Sequence, residues 1–191
     1  STSIGLTLMP TEGTRAQWPH EARLSLKVTV GSRLRIELTT HNPGPQDVVL
    51  GEALHTYLRI SDIGAVEVQG LDACEFVDKV AGGARKVQRG AVRFAGEVDR
   101  VYLNTSTDCV IVDPGLKRRI ESAKTGSRAT VVWTPWVEKA DKMGDFGPGR
   151  DGQGGWREVV CVESANALDN VVSVPAGGSH TLSVSYAALP L

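Results

Sequence analysis

The apolar positions of this chain fall in short alternating runs and almost nowhere at helical spacing. Ser3 to Met9 and Glu21 to Val30 alternate, Gly31-Ser32 makes a turn, and Leu34 to Thr40 alternates again, which predicts a β-hairpin. Asn42-Pro43-Gly44-Pro45 cannot continue a strand, so a tight loop precedes a strand at Val48 to Leu50. Further strands are predicted over Gly51 to Ile60, Val66 to Leu71, Glu75 to Asp78, Val92 to Phe94 and Arg100 to Leu103. The set is completed by Cys109 to Asp113, Arg118 to Ser122, Ala129 to Thr134, Val159 to Glu163 and His180 to Tyr186. Gly82 to Lys86 reads as a basic, Gly-rich loop, Gly147 to Gly155 as a flexible exposed one, and Val137 to Asp145 as the one short helix. Short strands punctuated by Gly and Pro predict an all-β, antiparallel β-sandwich, expected as one domain over residues 1–191.

Two polar residues interrupt this apolar pattern. In GEALHTYLRI (Gly51 to Ile60), alternation places Ala53, His55 and Tyr57 on one face and Leu54, Thr56 and Leu58 on the other. His55 is then either a core histidine satisfied by a backbone partner or a proton carrier facing a polar cleft. Glu163, in VVCVESAN (Val159 to Asn166), stands in an apolar strand where a carboxylate is costly to bury. The pair suggests an acid and a base sharing one cleft.

Composition narrows the partners. The 191 residues carry a net charge of −1, which gives no reason to expect a nucleic acid or an anionic membrane surface. No run approaches the roughly eighteen apolar residues of a membrane span, and no basic stretch leads into an apolar signal core. Cys74, Cys109 and Cys161 are odd in number and embedded in apolar runs, which argues for reduced, buried thiols and a cytoplasmic protein. His20, His41 and His180 lie far from cysteines and carboxylates at ligand spacing, so no zinc site is predicted. Gly82-Gly83 lacks the spacing of a nucleotide fingerprint, and no serine sits in a nucleophile elbow.

Several residues keep two readings each. Arg85, Lys86 and Arg89 meet a phosphate or form a solvated basic loop. Trp133 and Trp136 stack on a sugar or belong to the core. Lys139 neutralises Glu138 or faces the cleft, and Asp99 pairs with Arg100 or holds a ligand.

GEALHTYLRI, DKVAGGARKVQ (Asp78 to Gln88), GEVDRVYL (Gly96 to Leu103), VVWTPWVEKADKMGDF (Val131 to Phe146) and VVCVESAN occur in an order and spacing that resembles the hexose-6-phosphate 1-epimerase family. That family belongs to the galactose mutarotase-like superfamily. The similarity runs from about Trp18-Pro19-His20 to His180-Thr181-Leu182 and corresponds to the family's C-terminal portion. It implies a sandwich of the supersandwich type, here without N-terminal strands, that interconverts the α and β anomers of glucose 6-phosphate and related hexose 6-phosphates. It implies no metal and no organic cofactor, a small-molecule sugar phosphate as the partner, and a monomer. Carried over by motif, His55 is the general acid that protonates the ring oxygen, Glu163 the general base that takes the anomeric proton, and Asp99 a holder of sugar hydroxyls. Nothing here matches the family's N-terminal motifs, which carry a second active-site histidine and basic residues that meet the phosphate. A sandwich short of edge strands is expected to expose apolar surface.

The chemistry fits those residue types independently. Opening a cyclic hemiacetal removes one proton from O1 and delivers one to O5, so two groups of opposite role must straddle the C1–O5 bond. A non-catalytic sugar-binding sandwich would need no such pair. A glycosidase would need two carboxylates across a glycosidic bond, for which Asp99 and Glu163 are available but which leaves His55 without a role.

Overall fold

In the computed structural model, which describes residues 1–191, the alternating runs become sixteen strands. In chain order they begin with β1 (Thr2–Thr7), helix α1 (Glu12–Gln17), β2 (Arg23–Val30), β3 (Leu34–His41), β4 (Val48–Leu50), β5 (Glu52–Leu54), β6 (Tyr57–Arg59), β7 (Glu67–Gln69) and β8 (Glu75–Asp78). There follow β9 (Ala84–Val87), β10 (Val98–Tyr102), β11 (Cys109–Asp113), β12 (Arg118–Thr125), β13 (Ala129–Thr134), helix α2 (Trp136–Met143), β14 (Val159–Asn166), β15 (Val172–Val174) and β16 (Ser179–Pro190). All strand pairs are antiparallel, as short connections between alternating runs require.

One sheet runs β1-β2-β3-β16-β12-β11-β7 and the other β5-β14-β13-β10-β8-β9, with β6 also on β14. Their inner faces enclose a core of 22 buried residues, with Ile111, Ile120, Leu182 and Val184 from the first sheet and Tyr102, Val132, Val160 and Val162 from the second. Each such side chain contributes about 1.5–3 kcal/mol by leaving water. Lys124 of β12 crosses this interior. Its Nζ donates to Thr105 O at 2.9 Å, Ala129 O at 2.8 Å and Thr130 Oγ1 at 2.7 Å, tying the first sheet to β13 of the second. Burial still pulls Lys124 down to about 8.

The second sheet is buried on its outer face too. Val101, Leu103, Ala129 and Ala165 form a small separate cluster there, and every residue of β14 after Val159 is buried. Sheet hydrogen bonds alone do not bury both faces; the side chains on the outer face do, and among them lies the candidate site. At the far edge of the first sheet, β1 exposes Ile4 and Leu6, as expected of an uncovered sheet margin.

Some expectations need correction. The Gly51 to Ile60 run is two strands, with His55 and Thr56 outside the ladder. The basic loop is a turn ending at Gly83, whose Gly82 and Gly83 take positive φ, followed by strand β9, so Arg85 and Lys86 stand on an edge strand. Val98 and Asp99 belong to β10, whereas Val92 to Phe94 forms only a single bridge, Val92 to Val68. Helix α1 was not foreseen: it buries no residue and is held by a capping box between Thr11 and Thr14. The Gly147 to Gly155 loop closes on itself through Gly155 N–H to Gly147 O at 2.7 Å and Gly154 N–H to Pro148 O at 2.8 Å.

Candidate active site

Strand register builds the site. Leu54 pairs with Ser164 on one side of the interruption and Tyr57 with Cys161 on the other, so the count across the gap places His55 opposite Glu163. One row across the outer face is therefore His55, Glu163, Val131 and Val101, and the next is Tyr57, Cys161, Trp133 and Asp99. Cross-strand neighbours on one face lie about 4.5–5.5 Å apart at Cβ, which makes the two polar intrusions direct partners.

The distances bear this out. His55 Nε2 lies 3.4 Å from Glu163 Oε1, and His55 Nδ1 lies 3.8 Å from Cys161 Sγ. The His55 side chain is 48% exposed and that of Glu163 only 5%, so the imidazole is the lip of a hollow and the carboxylate its floor. This excludes the core-histidine reading. No protein group donates a hydrogen bond to Glu163; His55 is its nearest partner. Burial, reinforced by the charge of Asp99 and opposed by Lys79, pushes the Glu163 carboxyl up to about 7. Burial also raises the neighbouring Cys161 thiol, with the Glu163 charge adding to the effect.

Aromatic rings wall the hollow. His55 stacks on Tyr57 with centroids 5.0 Å apart and meets the edge of Trp133 at 5.7 Å, and Phe146 closes on Tyr57 and Trp133 at 6.1 and 6.4 Å. Of the two tryptophans, Trp133 lines the site. Trp136 instead packs on Trp156 at 5.1 Å and against the core. Such flat apolar walls suit the faces of a pyranose ring.

Charged residues border it. Asp99 is 3.6 Å from Lys79 and not paired with Arg100, whose guanidinium lies over Phe76 and bonds Gln88. Lys139 bonds Glu97 at 2.8 Å, not Glu138, with its ammonium 5.9 Å from the Trp133 ring centroid. Arg85, Lys86 and Arg89 are not brought to the hollow. Arg85 pairs with Glu75 and Asp169 and Lys86 with Asp78, on a strand four places across the sheet from β14, roughly 19 Å at the usual strand spacing. The remaining histidines serve elsewhere: His180 meets Glu52 Oε1 at 2.9 Å, and His41 meets Gly178 O at 3.0 Å.

Sequence reasoning missed Cys161, Lys79 and Phe146 as parts of the site, and placed Tyr57 on the face of His55 without giving it a role. The signal for Cys161 and Tyr57 was present, because each lies two residues from a candidate and alternation carries it to the same face. His55, Cys161 and Glu163 also bring an imidazole nitrogen, a thiol sulfur and a carboxylate oxygen within 4.8 Å of one another, a donor set able to hold a metal ion.

Known proteins are similar to the chain in sequence and in fold. The family model described as aldose 1-epimerase matches residues 1–187. A protein of Cenchrus ciliaris named "Putative glucose-6-phosphate 1-epimerase" is 31% identical over 192 residues, 98% of this chain and 56% of its own length. One of the same name from Escherichia coli strain K12 is 34% identical over 168 residues, 87% of this chain and 54% of its own. The crystal structure of a "putative mutarotase" from Salmonella typhimurium superposes with a TM-score of 0.86 at 30% identity, covering 99% of this chain and 61% of that one. The chain thus spans about half the length of the curated relatives it matches.

Proposed function

The chain belongs to the aldose 1-epimerase family, and we propose that its hollow interconverts the α and β anomers of glucose 6-phosphate and related hexose 6-phosphates. The observation that carries this reading is Glu163: a buried carboxylate without a hydrogen bond, opposite an exposed imidazole 3.4 Å away. A structural charge would be satisfied; this one keeps its lone pairs free for a proton. The names of the relatives support the phosphorylated sugar.

In this reading Glu163 takes the proton from the anomeric hydroxyl as the C1–O5 bond opens, and His55 delivers one to O5. Rotation about C1–C2 and reclosure with the roles reversed give the other anomer. A carboxyl near 7 suits a base that must accept and return a proton near neutral pH. Asp99 accepts hydrogen bonds from sugar hydroxyls, and Trp133, Tyr57 and Phe146 take the apolar face of the ring. Neither step requires a covalent intermediate.

One-dimensional exchange NMR on the anomeric protons of glucose 6-phosphate tests this. The chain is expected to speed α to β exchange, and both Glu163→Gln and His55→Ala to abolish the acceleration. Ligand-induced shifts in the protein without acceleration would leave a sugar-binding sandwich in place of the enzyme.

A further inference from the structure

We propose that His55, Cys161 and Glu163 form a binding site for a thiophilic divalent cation, Zn²⁺ above all, and that an ion held there switches the hollow off. The inhibitory half rests on the acid–base reading above; the binding half does not.

The donor set comes from the sheet itself. Cys161 and Glu163 are two residues apart on β14, so both side chains leave the same face from a backbone fixed by β13 and β6. His55 faces them from the gap in the ladder, and its half-exposed ring supplies both an entry path and a solvent-facing fourth position. Sulfur, nitrogen and a single carboxylate favour zinc or cadmium over magnesium or calcium, which take oxygen ligands. Three ligands on a tetrahedral zinc lie roughly 3.3–3.8 Å from one another at ordinary bond lengths. The donor atoms already fall within 4.8 Å of one another, so gathering them onto one ion takes side-chain movements of about 1 Å.

Glu163, itself one of the three donors, strengthens the case. It is buried, lacks any hydrogen bond, and points at the same spot as the other two donors. An ion there gives its oxygens a partner. Binding breaks the Cys161 S–H bond, forms a metal–sulfur bond, and releases that proton to solvent. It also occupies the lone pair of Glu163 and a ring nitrogen of His55, the atoms that handle protons in the reaction. The site therefore holds an ion or a reacting sugar, not both.

The test uses the full chain, stripped with a chelator and titrated with Cd²⁺ while the thiolate-to-cadmium ultraviolet band is followed, then with Zn²⁺ by calorimetry in buffers of different ionisation enthalpy. One ion per chain with net proton release is expected. The band is expected to disappear in Cys161→Ser and to persist in Cys109→Ser and Cys74→Ser. Affinity is expected to fall at least about tenfold in Glu163→Gln and in His55→Ala, the latter at an exposed position that tests the site should the cysteine variant fold poorly. Zn²⁺ should stop anomer exchange at the same stoichiometry, with recovery on adding chelator. A band unchanged in Cys161→Ser, or no binding at micromolar ion, overturns the proposal. Ion binding without any exchange activity in the stripped protein would sink the epimerase reading and leave the metal site standing.

Discussion

Lys124, on the inner face of the first sheet, and Glu163, on the outer face of the second, are both buried charges, and the protein treats them in opposite ways. Lys124 reaches inward and spends all three ammonium protons on Thr105 O, Ala129 O and Thr130 Oγ1. Glu163 faces outward, is as deeply buried, and receives no hydrogen bond. Its oxygens are not among the buried polar atoms that lack both a partner and solvent, so they stay open to water or a ligand while the Lys124 ammonium is closed off.

The largest effect that could break this contrast is in Glu163→Gln. Anomer exchange is expected to fall by about 10²- to 10⁴-fold, the usual worth of a positioned acid or base, while urea denaturation shows stability unchanged or higher. Retained exchange would place the chemistry elsewhere.

Lys124→Met should do the reverse. Removing the donor of three interior hydrogen bonds, of whose acceptors Ala129 O keeps a bond from Ser127 Oγ, is expected to lower stability by roughly 2–4 kcal/mol, with exchange per folded molecule unaltered. A loss under about 1 kcal/mol would show the cross-tie to be idle.

The pH dependence of unfolding separates the two charges further. Glu163, at about 7 in the folded chain against 4.5, binds a proton more readily folded than unfolded. Its contribution therefore makes stability fall as pH rises from 4.5 to 7, by at most about 1.4 kcal/mol per pH unit. Lys124, at about 8 against 10.5, holds its proton better unfolded, so stability rises from pH 8 to 10.5. In chelator-treated protein, Glu163→Gln should reduce the acid-side slope, leaving the share of Glu52, which burial also raises, and Lys124→Met should reduce the alkaline one. A slope unchanged in its own variant would reassign it.

The smallest effect is expected from Arg85→Ala. Its guanidinium is exposed and joined to two exposed carboxylates far across the sheet from the hollow, so neither stability nor the KM for glucose 6-phosphate should move measurably. A large rise in KM would return β9 to phosphate binding.

Alternation made much of the fold legible, because the strands of the first sheet have one wet face. Both strands of the β2–β3 hairpin and β11 follow directly from it, as does β8 of the second sheet, whose burial alternates too. Where both faces are buried it fails. β14 runs to Asn166, three residues beyond Glu163, because Ser164 and Asn166 are buried polar residues that look like the start of a loop. The candidate pair was legible for the complementary reason, since a histidine and a glutamate inside apolar runs stand out. Their pairing was not, as it depends on a register linking residues 108 positions apart. Lys124 gave no signal at all: a lysine in the alternating run of β12 reads as solvated until the opposite sheet supplies its acceptors.

The gap at His55 and Thr56 bears on reversibility. Leu54–Ser164 and Tyr57–Cys161 pin its two ends, so the imidazole is carried on a tether only two residues long while Glu163 is fixed to the sheet. One partner is stationary and the other has reach without drift. An interconversion whose forward and return paths cross the same transition states needs its acid and base to exchange roles without being rebuilt. In the proposed reaction, a two-residue gap above a strand-held carboxylate would let one pair serve both directions.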